Sequence, residues 1–182
     1  IAEELEAMNK KIKPEDMIEL TELYHRAGFL VHGMFIFGYP LPEGVDLYMS
    51  ADERIDRFRT FIKKTHLDTL QVLLAVPLPG TELTERLEKS GRVFSRDVIG
   101  WEFYDGNFPL FIPDEPLNPE DMQRALRQIM GRFYKFRYMF AVARNVLIFP
   151  AMMLSLWNIR FGWRRWRRLW KKDLIRFGGW LT

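Results

Sequence analysis

FLVHGMFIFGYPLPEG, residues 29 to 44, is an almost unbroken apolar run that stops at Gly38 and turns through Pro40 and Pro42 onto Glu43. A short apolar run without polar alternation reads as a strand buried on both faces, as in a parallel sheet. Its surroundings fit that reading. Before it, KPEDMIELTELYHRAG (13–28) is a helix, with Pro14 in its first turn, acids beside it, Met17, Leu20, Leu23 and Ala27 on one stripe and Gly28 as its stop. After it, SADERIDRFRTFIKKTH (50–66) is a second helix, N-capped by Ser50, with Ile55, Phe58, Phe61 and Ile62 on one stripe. DTLQVLLAVP (68–77) is another buried strand, and TELTERLEKSG (81–91) a short helix capped by Thr81 and stopped by Gly91.

This alternation predicts parallel neighbouring strands over 31–38 and 69–76, joined through the helix by a right-handed crossover. Two strands leave two edges and need cover on both faces, so the pair belongs in a larger sheet or barrel. Residues 92–118 are irregular and aromatic, as expected of a loop packed over the mouth of a site. Asn118, Pro119 and Asp121 then start a helix expected to run to about residue 143. The division expected is 1–117 for the α/β part with its aromatic loop and 118–182 for a helical extension.

Composition narrows the chemistry. The 182 residues include no cysteine, which excludes a disulfide, a thiol nucleophile and thiolate metal ligands from this chain. The histidines, His25, His32 and His66, lack zinc-motif spacing. No Ser/His/Asp arrangement, paired-carboxylate spacing or phosphate-binding glycine loop stands out. His32, within the first strand, reads as a core histidine or a base, and Asp68 and Gln71, at the start of the second, as structural. Glu102 and Asp105 flank Tyr104 in the aromatic loop, where a substrate-facing role is the alternative to a structural one.

Charge divides the chain. Residues 1–131 hold 15 Lys and Arg against 23 Asp and Glu, and residues 132–182 hold 12 against Asp173 alone. Five of the six tryptophans also lie in the basic part, which suits an anionic surface, the phosphate of lipid or of nucleic acid. The apolar stretch YMFAVARNVLIFPAMMLSLWNI (138–159) has an uncharged part from Asn145 to Ile159 of 15 residues. As a helix that is about 22 Å against a hydrocarbon core of roughly 30 Å, and Pro150 interrupts it, so spanning is not the expectation. FGWRRWRRLWKKDLIRFGGW (161–180) places Trp163, Trp166, Trp170, Leu174 and Phe177 on a helical stripe beside Arg164, Arg165, Arg167, Arg168, Lys171 and Lys172. Tryptophans beside cations describe a helix in a membrane interface; packing against the α/β part and stacking on RNA are the alternatives.

The order of pieces resembles the second half of the radical S-adenosylmethionine (SAM) barrel, in its cobalamin-binding and anaerobic magnesium-protoporphyrin cyclase-like branch. The residues carrying this are Met8-Asn9-Lys10, His25-Arg26-Ala27-Gly28, Met34 to Pro40, Pro77 to Thr81 and Trp101 to Asp105, over roughly residues 1–130. The resemblance implies a partial (β/α) barrel whose fifth and sixth strands are present. It implies that Ile36 contacts the adenine of SAM or fills core, that Gly38 lets the chain turn close to the cofactor, and that Val76 and Pro77 line the adenine pocket. In the family a four-iron four-sulfur (4Fe-4S) cluster cleaves SAM reductively and the resulting radical abstracts hydrogen from substrate; cobalamin is a further cofactor of the branch.

Four departures matter. The cluster's three cysteines, the glycine-rich SAM amine motif and the glutamate segment upstream of Met8-Asn9-Lys10 are missing, and PLPEGVDLYMSADE (40–53) is longer than the usual turn. Thiolates are the cluster's ligands, so this chain alone is expected to be inactive. No signal peptide is visible in IAEELEAMNK, which reads as the inside of a helix and hence as a piece of something longer. The function expected is the C-terminal portion of a radical SAM enzyme acting on a small-molecule, lipid or other apolar substrate. It would lie in the cytoplasm, peripheral on the inner face of the membrane. The rival expectation is a non-catalytic α/β module displaying a basic helix to membrane or RNA.

Overall fold

The computed structural model describes the backbone of residues 1–147 and 159–181, and the side chains of these except 145–147, 159–166 and 169. It is a mixed α/β chain: α1 (Ala2–Ala7), α2 (Pro14–Arg26), β1 (His32–Phe37), α3 (Ala51–Thr65), β2 (Thr69–Leu74), α4 (Glu82–Lys89), α5 (Pro119–Phe133), α6 (Tyr138–Leu147) and α7 (Ile159–Leu181). The strands β1 and β2 pair with each other in a two-stranded parallel sheet, as their apolar runs predict. No barrel is shown by these two strands.

Helix starts follow local chemistry. Ser50 and Glu53 close a reciprocal capping box, the Ser50 amide donating to Glu53 Oε2 at 2.9 Å and the Glu53 amide to Ser50 Oγ at 3.3 Å. Asn118 does the same for α5, accepting from the Asp121 amide at 2.8 Å. Thr81 caps α4 through the Thr84 amide at 3.3 Å. Gly28 ends α2 at φ +89, with the Phe29 amide reaching the Tyr24 carbonyl at 3.0 Å, a left-handed C-cap.

The strands differ from expectation in their faces. Each alternates: Gly33 and Phe37 of β1 and Leu70, Val72 and Leu74 of β2 are buried, while His32 and Met34 are exposed and Ile36, Thr69, Gln71 and Leu73 are partly exposed. Phe35 and Phe37 pack on α3, with Phe35 to Phe58 at 6.1 Å, Phe35 to Phe61 at 5.9 Å and Phe37 to Phe58 at 5.4 Å between ring centroids. A bond of 2.7 Å between His32 Nδ1 and Thr69 Oγ1 ties the two strands on the other face. The expectation of burial on both faces is therefore corrected: α3 covers one face, and Met34 stands 66% exposed on the other. His32 is likewise a surface residue, not a core one.

Two compact units divide the described chain: residues 1–14, 34–61 and 72–129 form the first, and 15–33, 62–71 and 130–182 the second. In the first, Arg54, 1% exposed, clamps the long connection after β1 by donating to the carbonyls of Met49 at 3.3 Å and Leu47 at 3.1 Å, and pairs with buried Glu4 at 3.4 Å. In the second, Asp68 is a buried tie-point: its Oδ2 accepts from the Val31 amide at 2.8 Å and meets His25 Nε2 at 2.7 Å. The structural reading of Asp68 follows from this, since one carboxylate joins the end of α2 to the starts of both strands.

The helix starting at Asn118 stops at Phe133, ten residues short of the expected 143. Tertiary contacts outweigh helix propensity here. Tyr134 turns to the backbone of Leu70 while Phe136 turns to Phe177 and Trp180 of α7, with centroids at 6.2 and 5.0 Å, and the chain re-enters a helix at Tyr138. α6 and α7 pack on each other.

Candidate functional site at the strand ends

The residues assigned to an adenine pocket all fall in the first unit, just beyond or within the C-terminal ends of the strands. Ile36 and Val76 are partly exposed, Gly38 and Pro77 buried. Gly38 has φ +68, a left-handed conformation that disfavours a side chain. A Cβ there would stand 2.9 Å from Met122 Cε and 3.7 Å from Leu117 Cδ1, so the close approach this glycine permits is to α5 and the segment before it. Beyond it, the Leu41 amide donates to Asp114 Oδ2 at 2.7 Å, and Arg86 donates to the Pro40 carbonyl at 2.8 Å. The turn after β1 is thus fixed by side chains from two other segments.

The turn after β2 is fixed from within. The Leu78 carbonyl accepts from Thr81 Oγ1 at 2.8 Å and Thr84 Oγ1 at 2.6 Å, which orients PLPGT against the start of α4. The aromatic loop reaches the same strand end: the Leu74 amide donates to the Gly106 carbonyl at 2.7 Å, and a Cβ on Gly106 would meet Leu73 Cβ at 3.2 Å. Leu110 and Phe111 of that loop are buried, while Trp101 is 61% exposed. Asp105 turns back onto its own loop, accepting from the Asn107 amide and side chain at 2.9 and 2.6 Å, and these bonds hold its carboxyl below the usual range. Glu102 is exposed. Ile36, Leu73 and Val76 are partly exposed at this end of the sheet, with Gly106 of the aromatic loop against Leu73. No group of His, Asp and Glu that could hold a metal occurs among the described residues, and the chain has no cysteine, so these residues do not fit an iron–sulfur cluster.

Edge chemistry distinguishes the two strands. The Val31 carbonyl accepts from the amides of Asp68 and Thr69 at 3.0 and 3.3 Å, so odd residues of β1 direct their backbone at β2 and His32, Met34 and Ile36 direct theirs away. Among the described residues nothing pairs with that outer edge. The outer edge of β2 is held at Leu70, where Tyr134 Oη accepts from the amide at 2.8 Å and donates to the carbonyl at 2.5 Å, and at the Leu74 amide by Gly106. Apolar residues of α2 expected to pack are also bare, Leu20 at 43% and Leu23 at 57% exposure, beside Tyr24, Phe29 and Leu30.

Of the basic stripe, the side chains of Trp163, Arg164, Arg165 and Trp166 lie outside the described residues. Arg167 is exposed; Arg168, Trp170, Lys171 and Lys172 are partly buried. Burial lowers the Lys172 ammonium below its ordinary range, and neighbouring Arg176 adds to this. Burial lowers the His25 imidazole too, Asp68 opposing and Arg168 and Lys172 reinforcing the shift. Arg176 anchors α7 within the second unit by donating to the carbonyls of Asp68, at 2.9 Å, and Leu67, and to Tyr138 Oη at 3.0 Å. Sequence reading missed Arg176, Tyr134 and the Glu4–Arg54 pair, because each acts through a partner remote in the chain. No helix among the described residues is long and apolar enough to cross a membrane, and most of the stretch Asn145 to Ile159 lies outside them.

No family model matches the chain, and no curated protein matches it.

Proposed function

We propose that this chain is the C-terminal part of a radical SAM enzyme, β1 and β2 being the fifth and sixth strands of a partial (β/α) barrel that an upstream half completes. One observation carries the reading: among the described residues nothing pairs with the outer edge of β1 at His32, Met34 and Ile36, and Met34 is 66% exposed, whereas at the other edge Leu70 is held by Tyr134 and Leu74 by Gly106. Parallel sheets are covered on both faces. An exposed Met34 and an unpaired β1 edge are what a missing neighbouring strand would occupy. The order of motifs at the strand ends supports the same family.

In that enzyme Ile36, Val76 and Pro77 bear on the adenine of SAM, and Gly38 sets the turn beside it. An upstream half would supply the cysteines that hold a 4Fe-4S cluster, and the chemistry such a cluster would supply is one-electron reduction of SAM; cobalamin would need a further upstream domain. What this chain contributes is apolar contact and exclusion of water at the strand ends. Its basic helix attaches the enzyme to the anionic inner face of the membrane from the cytoplasm, which suits a lipid or other apolar substrate.

The test is anaerobic reconstitution of a longer chain that includes the upstream half, with iron, sulfide and SAM binding measured. Bound iron and sulfide with SAM affinity uphold the reading, and Ile36→Asp should weaken SAM binding by burying a carboxylate without a partner. A longer chain that stays colourless overturns it and leaves the second reading, a non-catalytic module displaying its basic helix to membrane or RNA. That second reading is favoured by one observation, the anchoring of α7 through Arg176 as part of a folded unit.

A further inference from the structure

A second feature of the basic half lies at the end of the tryptophan stripe, sharing Phe177 with it. Where α6 packs on α7, four aromatic rings form one cluster: Phe136 lies 5.8 Å from Phe140, 6.2 Å from Phe177 and 5.0 Å from Trp180. Three of the four are turned to solvent, Phe136 at 42%, Phe140 at 62% and Trp180 at 47%, and Leu181 beside Trp180 is 64% exposed. Scattered exposed apolar residues are ordinary, but a contiguous aromatic group is not. Its charge setting is one-sided. Residues 132–182 carry 12 Lys and Arg and one acid, and that acid, Asp173, is buried. Arg137, exposed, holds its guanidinium 5.6 Å from the Tyr138 ring.

We propose that Phe136, Phe140, Trp180 and Leu181 form an insertion patch that enters the interface of an anionic lipid bilayer, with Arg132, Lys135 and Arg137 on the headgroups. Solvent-turned aromatic side chains in a stretch whose charges are nearly all cations match the chemistry of that layer: rings settle at the level of the headgroups and cations meet phosphate. The patch rests on the membrane reading given above and deepens it. It moves the apolar contact from the middle of α7 to the place where α7 packs on α6, leaving the arginines of residues 164–168 as an electrostatic contact.

The experiment uses the 182-residue chain with vesicles of phosphatidylcholine and phosphatidylglycerol, at low and high salt. Wild type should sediment with the vesicles, and Phe140→Ser/Trp180→Ser/Leu181→Ser should bind at least ~10-fold more weakly at high salt, where screened charges contribute little and buried apolar area decides. Because the chain has no cysteine, a fluorophore on Phe140→Cys gives an independent reading. Its emission should shift to the blue and brighten on vesicles, whereas the same label on exposed Glu22→Cys of α2 should not respond. Wild-type binding that the triple substitution leaves unchanged, or a silent label at 140, overturns the patch while the tail reading stands. Failure of wild type to sediment overturns both. Release of wild type by excess single-stranded RNA shows the surface to be a nucleic-acid contact and also overturns the patch.

Discussion

The hydroxyl of Tyr134 stands in for a strand: it accepts from the amide of Leu70 at 2.8 Å and donates to the carbonyl of the same residue at 2.5 Å. Both backbone groups that Leu70 turns away from β1 are thereby satisfied by one side chain. Tyr134→Phe keeps the ring and leaves the two groups without that partner. The expected cost is ~1–3 kcal/mol of unfolding free energy, read by urea denaturation, because an orphaned buried backbone group carries its full desolvation penalty. A change of a few tenths would show that water replaces the hydroxyl and that the edge is not closed.

Gly38 gives a backbone prediction. At φ +68 an alanine is strained wherever its methyl points, so Gly38→Ala should cost ~1–2 kcal/mol. The neighbouring Met122 Cε is the end of a flexible chain and can move aside. A double-mutant cycle with Met122→Ala should therefore recover little of the loss. Full recovery would show that crowding against α5, not backbone conformation, fixes glycine here.

Glu4 sets a pH dependence. Burial pushes its carboxyl up to about 7 from an ordinary 4.5, against the pull of Arg54 and the Gly38 amide. A raised carboxyl binds its proton better in the folded than in the unfolded state, so its contribution to stability is full below about pH 4.5 and is lost as pH rises through about 7. His25 acts oppositely, since its lowered imidazole contributes above the ordinary histidine range and loses that contribution as pH falls. The comparison that isolates Glu4 is wild type against Glu4→Gln: their stability difference should shift in favour of the variant between pH 5 and 8. A pH-independent difference would contradict the burial argument.

The elements were legible where the signal is local. Ser50, Thr81 and Asn118 bond their helix N-termini as their positions in the sequence predict, and Gly28 and Gly91 end helices at positive φ. The strands were legible as apolar runs, but not their faces, because a run such as GMFIF is the same whether a partner covers Met34 or not. The end of α5 was missed for a related reason: residues 119–143 are helix-compatible throughout, and only the distant partners of Tyr134 and Phe136 break the helix. At the strand ends, the motif order led to Ile36, Gly38, Val76 and Pro77 without any indication that Met122 fills the space beside Gly38. Charge asymmetry pointed to the basic half as a surface contact, yet the exposed aromatic cluster arises from the packing of α6 on α7, which no spacing within either helix encodes.

The central claim is that β1 pairs along its outer edge with a strand of an upstream half, and amide hydrogen exchange reads that edge directly. In the 182-residue chain the amides of Met34 and Ile36, directed away from β2, should exchange quickly. In a longer chain that includes the upstream half they should slow by at least ~100-fold, while the amides of β2 that already face β1 change little. Equal, fast exchange of Met34 and Ile36 in both chains would contradict the account, since it would leave the parallel pair without the neighbour on which the barrel, and with it the SAM site, depends.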